Sequence, residues 1–153
     1  MSAIEKLRAL AADAALVSSS SAVLGWDEET YLPPAGHAWR ARQLAWLAGR
    51  AHEMQTSMRW RDAIDAAMAE ATAPREVANL RQMQVEFERA TKLPTSFVER
   101  EAGLISESKQ AWAAARKADR YGDFEAYLGK IVDLAREKAE LLGYDEEAYD
   151  ALI

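Results

Sequence analysis

The chain has 153 residues, of which 50% are hydrophobic and 29% charged, and a formal net charge of −6. That length and apolar content fit one domain with a real core and exclude a disordered polymer, while the acidic balance, with Lys and Arg interspersed among Asp and Glu, excludes a basic nucleic-acid surface. The absence of Cys removes a disulfide framework and any Cys-ligated zinc or iron–sulfur site, and fits a reducing, cytoplasmic setting.

The N-terminal Met-Ser-Ala-Ile-Glu-Lys lacks the cationic start and apolar run of a secretory leader. No uninterrupted apolar run approaches the ~20 residues that span a bilayer, so no membrane is expected as a partner. Ile4, Leu7, Leu10, Ala14, Val17 and Leu24 recur at helical spacing. Ser2 and Glu5 have the spacing of a capping box, which puts the helix start at the N-terminus. The serines at 18–21 are expected to weaken the end of this helix, because their hydroxyls compete for backbone hydrogen bonds. Leu24 to Gly36 then reads as a connection, with Trp26 and Tyr31 anchoring it against the bundle.

A second helix is predicted from about Gly36 to Gln55, with Ala41, Leu44, Ala48, Ala51 and Gln55 on one face. A third carries Trp60, Ile64, Ala67, Met68 and Ala71. Pro74 suits the first turn of a fourth, which carries Val77, Leu80, Met83, Phe87 and Ala90 and ends before Leu93-Pro94. Ser96 and Glu99 suggest a second capping box. They open a fifth helix with Phe97, Leu104, Ile105, Ser108, Trp112 and Ala115. Asp123 is the expected N-cap of a sixth, with Phe124, Leu128, Ile131, Ala135 and Leu142 inward. Gly143 is the expected residue after its end, and Asp145 is expected to cap a last turn. No period-two run or hairpin signal is present. The predicted fold is all-α: six or seven helices in an antiparallel-type bundle with short connections, as one domain over 1–153.

Chemistry has little support from the residues alone. His52-Glu53-Met54-Gln55-Thr56 begins like a zincin helix, but Thr56 stands where the second His must be. His52 therefore reads as a helix residue with a hydrogen-bonded ring. Asp27, Glu28 and Glu29 are adjacent, so their carboxylates do not converge on one point of a helix. Asp27 is read as accepting backbone hydrogen bonds in the turn, with Glu28 and Glu29 in solvent. The serine run has no nucleophile-elbow pattern, and no phosphate-binding glycine motif is present. Arg40, Arg42 and Arg50 could hold a carboxylate, but an ion-paired helix face is the better reading. Trp39 and Trp46, two helical turns apart, read as core or interface. No catalytic and no metal-ligating residue is assigned.

Trp26-Asp27-Glu28-Glu29-Thr30-Tyr31-Leu32-Pro33-Pro34 resembles the Trp-Asp-x-Glu-Thr-x-Met-Pro-Pro segment of the M32 zinc carboxypeptidases, the carboxypeptidase Taq family. Arg42-Gln43-Leu44-Ala45, Ala78-Asn79-Leu80-Arg81, Arg89-Ala90-Thr91-Lys92-Leu93-Pro94, Leu142-Gly143-Tyr144 and Tyr149-Asp150-Ala151-Leu152 continue the likeness in order. Leu32 stands where Met is more usual. Trp26, Asp27, Glu29, Thr30, Pro33, Pro34 and Arg42 carry the family pattern and are expected to be structural. The resemblance implies the N-terminal helical subdomain of a much longer, cytoplasmic and commonly homodimeric peptidase, walling or capping its peptide cleft. It implies zinc only in a full-length relative, since the family's His-Glu-x-x-His helix has no counterpart here. Expected partners are a second copy or the missing catalytic portion, with peptide as substrate only in the full-length setting. Either a truncated product or a stand-alone relative is expected, inactive by itself. The alternative is a non-catalytic helical interaction or dimerisation module. A weaker third reading is a small-molecule binder near Trp26 to Tyr31.

Overall fold

The computed structural model describes residues Met1–Ile153. It contains six α-helices, two 3-10 turns and no strand. They are α1 (Ala3–Thr30), α2 (His37–Gln55), α3 (Met58–Glu70), α4 (Pro74–Thr91), α5 (Thr95–Lys117) and α6 (Gly122–Leu142). The 3-10 turns are Pro34–Gly36 and Ala148–Leu152. The all-α reading holds.

The predicted capping box closes the start of α1: Glu5 N donates to Ser2 Oγ at 3.3 Å and Ser2 N donates to Glu5 Oε2 at 2.8 Å. The helix does not end at the serines. Ser18 Oγ donates to Ala14 O at 3.2 Å and Ser20 Oγ to Leu16 O at 2.9 Å. Hydroxyls that fold back on the preceding turn leave the backbone ladder intact. The helix therefore runs on for 28 residues, and Trp26 to Thr30 form its last turn instead of a loop. By length and composition alone α1 could cross a bilayer, with mean hydropathy 1.3 over an 18-residue window. In this fold α1 packs on α2 and α3.

Three capping expectations change. The helix α5 starts two residues early, with Pro94 at its N-cap, so Ser96 is already helical and makes no box. The helix α6 begins at Gly122 behind Tyr121, and Asp123 instead pairs with Arg120 at 2.7 Å. The final 3-10 turn follows Glu147, not Asp145. Gly143 does follow the end of α6, at φ 82°, where a residue without Cβ is favoured.

The helices pack largely in series: α4 on α3, α3 on α1, α1 on α2, α2 on α5, α5 on α6. The largest apolar cluster joins α1, α3 and α4 through Leu7, Ala14, Trp60, Ile64, Ala67 and Leu80. A smaller one joins the end of α6 to the last turn through Ala139, Leu142 and Ala151. Only 20 of the 153 residues are buried, because a serial array covers each helix on its flanks and leaves its outer faces open. The accessible surface is 10191 Å². A compact monomer of this mass exposes roughly 7,700 Å², so the fold carries an excess of about 2,500 Å².

Candidate functional site

The chain pattern that marked Leu24 to Gly36 comes together where the end of α1 meets α2 and α5. At this junction the Arg40 side chain is 9% exposed. Its Nη2 donates to Asp27 Oδ2 at 2.7 Å and its Nε to Gln43 Oε1 at 3.1 Å. Its Nη1 donates to the Leu24 carbonyl. A planar guanidinium reaches all three acceptors at once, which a lysine could not. The cation also lies near the carbonyl end of α1, where positive charge is favoured.

The three acids diverge, as adjacent helix positions must, but their environments differ from the expectation. The Asp27 side chain faces Arg40 instead of the backbone. The turn is held by the Asp27 main-chain carbonyl, which accepts from Tyr31 N at 3.0 Å and Leu32 N at 2.9 Å. Glu28 was expected in solvent and is buried; it accepts from the Ser106 hydroxyl of α5. Its position corrects the reading because α1 continues past the serines and turns this residue inward. Glu29 is exposed and accepts from Lys109 Nζ at 2.8 Å. The hydrogen bond and charge of Lys109 hold the Glu29 carboxyl below the usual glutamate range.

The remaining pattern residues are local. Thr30 Oγ1 donates to Trp26 O at 2.7 Å. Pro33 is extended at φ −61° and ψ 147°, and Pro34 opens the 3-10 turn. Leu32 packs so closely on Gly36 that an added Cβ would lie 2.8 Å from Leu32 Cδ1. Trp26 and Tyr31 do not anchor the turn in the bundle. They are exposed and meet each other edge to face at 5.5 Å. Arg42 stacks over Trp39 at 5.0 Å, while Arg50 pairs with Glu53 at 3.1 Å on the surface.

The zinc implied by the family likeness can be tested on His52. The ring is buried. Its Nδ1 lies 3.0 Å from Thr95 Oγ1 and its Nε2 lies 3.0 Å from Ala90 O. The carbonyl can only accept, so Nε2 donates and Nδ1 accepts from the Thr95 hydroxyl. Both nitrogens are engaged, and no group of three or more His, Asp or Glu is gathered to hold a metal ion. The residues present do not fit a zinc site. The ring instead joins α2 to the α4–α5 corner.

Arg40, Gln43, Glu28 and Ser106 carry the junction and were not singled out as its members from sequence. The helical step from Leu7 through Ala14 and Ser21 reaches Glu28 in sevens, a signal hidden once the helix is cut at the serines. Arg40 and Gln43 are one turn apart, but nothing local distinguishes a buried arginine from an exposed one. The junction binds helices together. Its one hydroxyl–carboxylate pair, Ser106 with Glu28, is buried away from the surface, and it gathers no group of converging acids.

A family model described as carboxypeptidase Taq (M32) metallopeptidase matches residues 6–153. The Thermostable carboxypeptidase 1 of Thermus thermophilus is 31% identical over 134 residues, which is 85% of this chain and 26% of that protein. The Pyrococcus furiosus carboxypeptidase structure superposes with TM-score 0.74 at 29% identity, over 99% of this chain and 31% of its own. The BsuCP crystal structure gives TM-score 0.90 at 24% identity, over 98% of this chain and 30% of its own, a likeness of fold. The chain thus spans about a quarter to a third of the length of these relatives.

Proposed function

From the premise that this chain belongs to the carboxypeptidase Taq (M32) metallopeptidase family, we propose that it is the N-terminal helical portion of a zinc metallocarboxypeptidase. In that role it forms one domain that walls or caps the cleft for peptide substrates and works in the cytoplasm. It has no peptidase activity of its own. The observation that carries this reading is a family match over almost the whole chain that contains no His-Glu-x-x-His. The single His-Glu pair is committed to packing through Thr95 and Ala90. A helical wall contributes by positioning and by excluding water when a cleft closes, which needs rigidity at its base. The Arg40 and Glu28 junction supplies that rigidity.

The test is a hybrid in which this chain replaces the matched portion of the Thermus thermophilus carboxypeptidase. The expected result is chelator-sensitive release of a C-terminal residue from a blocked dipeptide. A folded, zinc-loaded hybrid without turnover would overturn the role.

A second reading is a non-catalytic interaction or dimerisation module. It is favoured by the aromatic side chains left open on α1 and α2, since apolar patches of this kind drive association. Light scattering of the chain alone tests it: a strict monomer at all concentrations opposes it.

A further inference from the structure

The outer face of α2 carries Trp39 and Trp46, which are 61% and 63% exposed. Between them and Leu24 lies an open groove of about 470 Å³, also lined by Arg42, Gln43 and Leu47. Arg42 is shared with a second depression of about 540 Å³ that runs across α5 to α6, lined by the small and apolar Ala45, Gly103 and Leu104 and by the charged Arg100, Glu107 and Glu137. The two depressions meet at Arg42 as one corridor, apolar between the tryptophans and charged toward α6. Helices that bury only their flanks are half of a two-layer packing. Arg42 stands on Trp39 and takes part in none of the ion pairs of the chain.

We infer that this corridor is the seat of a second helical layer supplied by the remainder of an M32 polypeptide. That layer sets apolar side chains between Trp39 and Trp46 and a carboxylate against Arg42. The inference rests on the family role above and adds the face and its chemistry. The area decides the occupant. The excess of about 2,500 Å², which belongs to the whole array, is some three times the ~800 Å² that each partner covers in a standard association, and is of the size of one side of a large permanent interface. A second copy docked by a standard interface would leave most of it wet. The relatives are more than long enough to supply such a layer, since this chain spans 26% to 31% of them. The charge also fits: a guanidinium outside any ion pair, set at the edge of the apolar tryptophan groove, is satisfied by a carboxylate from the covering layer.

Hydroxyl-radical footprinting of the tryptophans tests this in the Thermus hybrid and in the isolated chain. Modification of Trp39 and Trp46 is expected to fall about five-fold or more in the hybrid, as for side chains moved into a dry interface core. Trp60, buried already, should be low in both. Unchanged modification of Trp39 and Trp46 in a soluble hybrid overturns the inference. So does protection in the isolated chain that accompanies a concentration-dependent dimer by sedimentation, since a second copy then holds the face. If the hybrid is insoluble, the variant W39E/W46E of the isolated chain decides. It should keep its helix content and unfolding midpoint while losing about half or more of its binding of an apolar dye. Its unfolding would make both residues core and overturn the inference. An active hybrid with open tryptophans leaves the family role standing and this inference failed. A protected but inactive hybrid does the reverse.

Discussion

Over its first half α1 lays Ala3, Leu7 and Ala14 against Trp60, Ile64 and Ala67 of α3, an apolar cluster. In its last turns the same helix meets α2 and α5 through Asp27 with Arg40 and Glu28 with Ser106. The first contact is non-directional, and hydrophobic residues of similar volume can replace one another there at modest cost. The second is directional, and each of its buried groups depends on specific partners, three for Arg40 and Ser106 for Glu28. The serine stretch lies between them, with its hydroxyls closed on the helix's own backbone.

Substitutions should separate the two regions. The largest effect is expected in the apolar half. The variant I64A should lose about 2–5 kcal/mol of unfolding free energy through a cavity beside Leu7 and Leu80. Denaturant melts followed by circular dichroism would measure it, and a loss within error would show that this cluster is not the core. Next comes R40A at the junction, at about 2–4 kcal/mol. That is below the limit for a fully buried pair, because the Asp27 side chain remains 34% exposed. The double variant D27L/R40M should recover much of that loss, since removing both charges avoids leaving one unpaired. No comparable rescue exists for I64A short of refilling its volume.

The variant E28Q should cost about 1 kcal/mol, because a neutral amide still accepts from Ser106 but loses the charge assistance of the bond. The smallest effect is expected for K109M, which removes the exposed partner of Glu29. Glu29 is depressed below its ordinary value in the fold, so its contribution is present above the unfolded carboxyl value. It is lost as pH falls through the folded one. Wild type and K109M should therefore differ slightly near neutral pH and converge in acid. Raised salt should shrink the gap.

How far each region could be read in the sequence follows the same division. The stripe Trp60, Ile64 and Ala67 of α3 was legible, because apolar periodicity records burial directly. So were the Ser2 and Glu5 cap and Gly143, whose chemistry is local. The polar junction was not. Arg40 is buried by acceptors on α1 and Glu28 by a hydroxyl on α5, and no local pattern records a partner on another helix. The predicted inward faces of α2 and α5 hold in part, since Ala41, Phe97, Ser108 and Ala115 are buried and Leu44, Ala48 and Ala51 half-buried, but they are incomplete for the same reason. Gly49 and His52 are buried on α2, Gly49 because the Glu99 side chain lies where its Cβ would be. Ser106 is buried on α5, while Ile105 and Trp112 stay open. Those open residues follow from the serial packing, which leaves apolar positions without a facing layer.

The most direct measurement is turnover of a blocked dipeptide by this chain alone, with zinc or cobalt supplied. With both nitrogens of His52 engaged and no second histidine one turn on, no release of the C-terminal residue above the uncatalysed rate is expected. Sustained turnover that a chelator abolishes would contradict it.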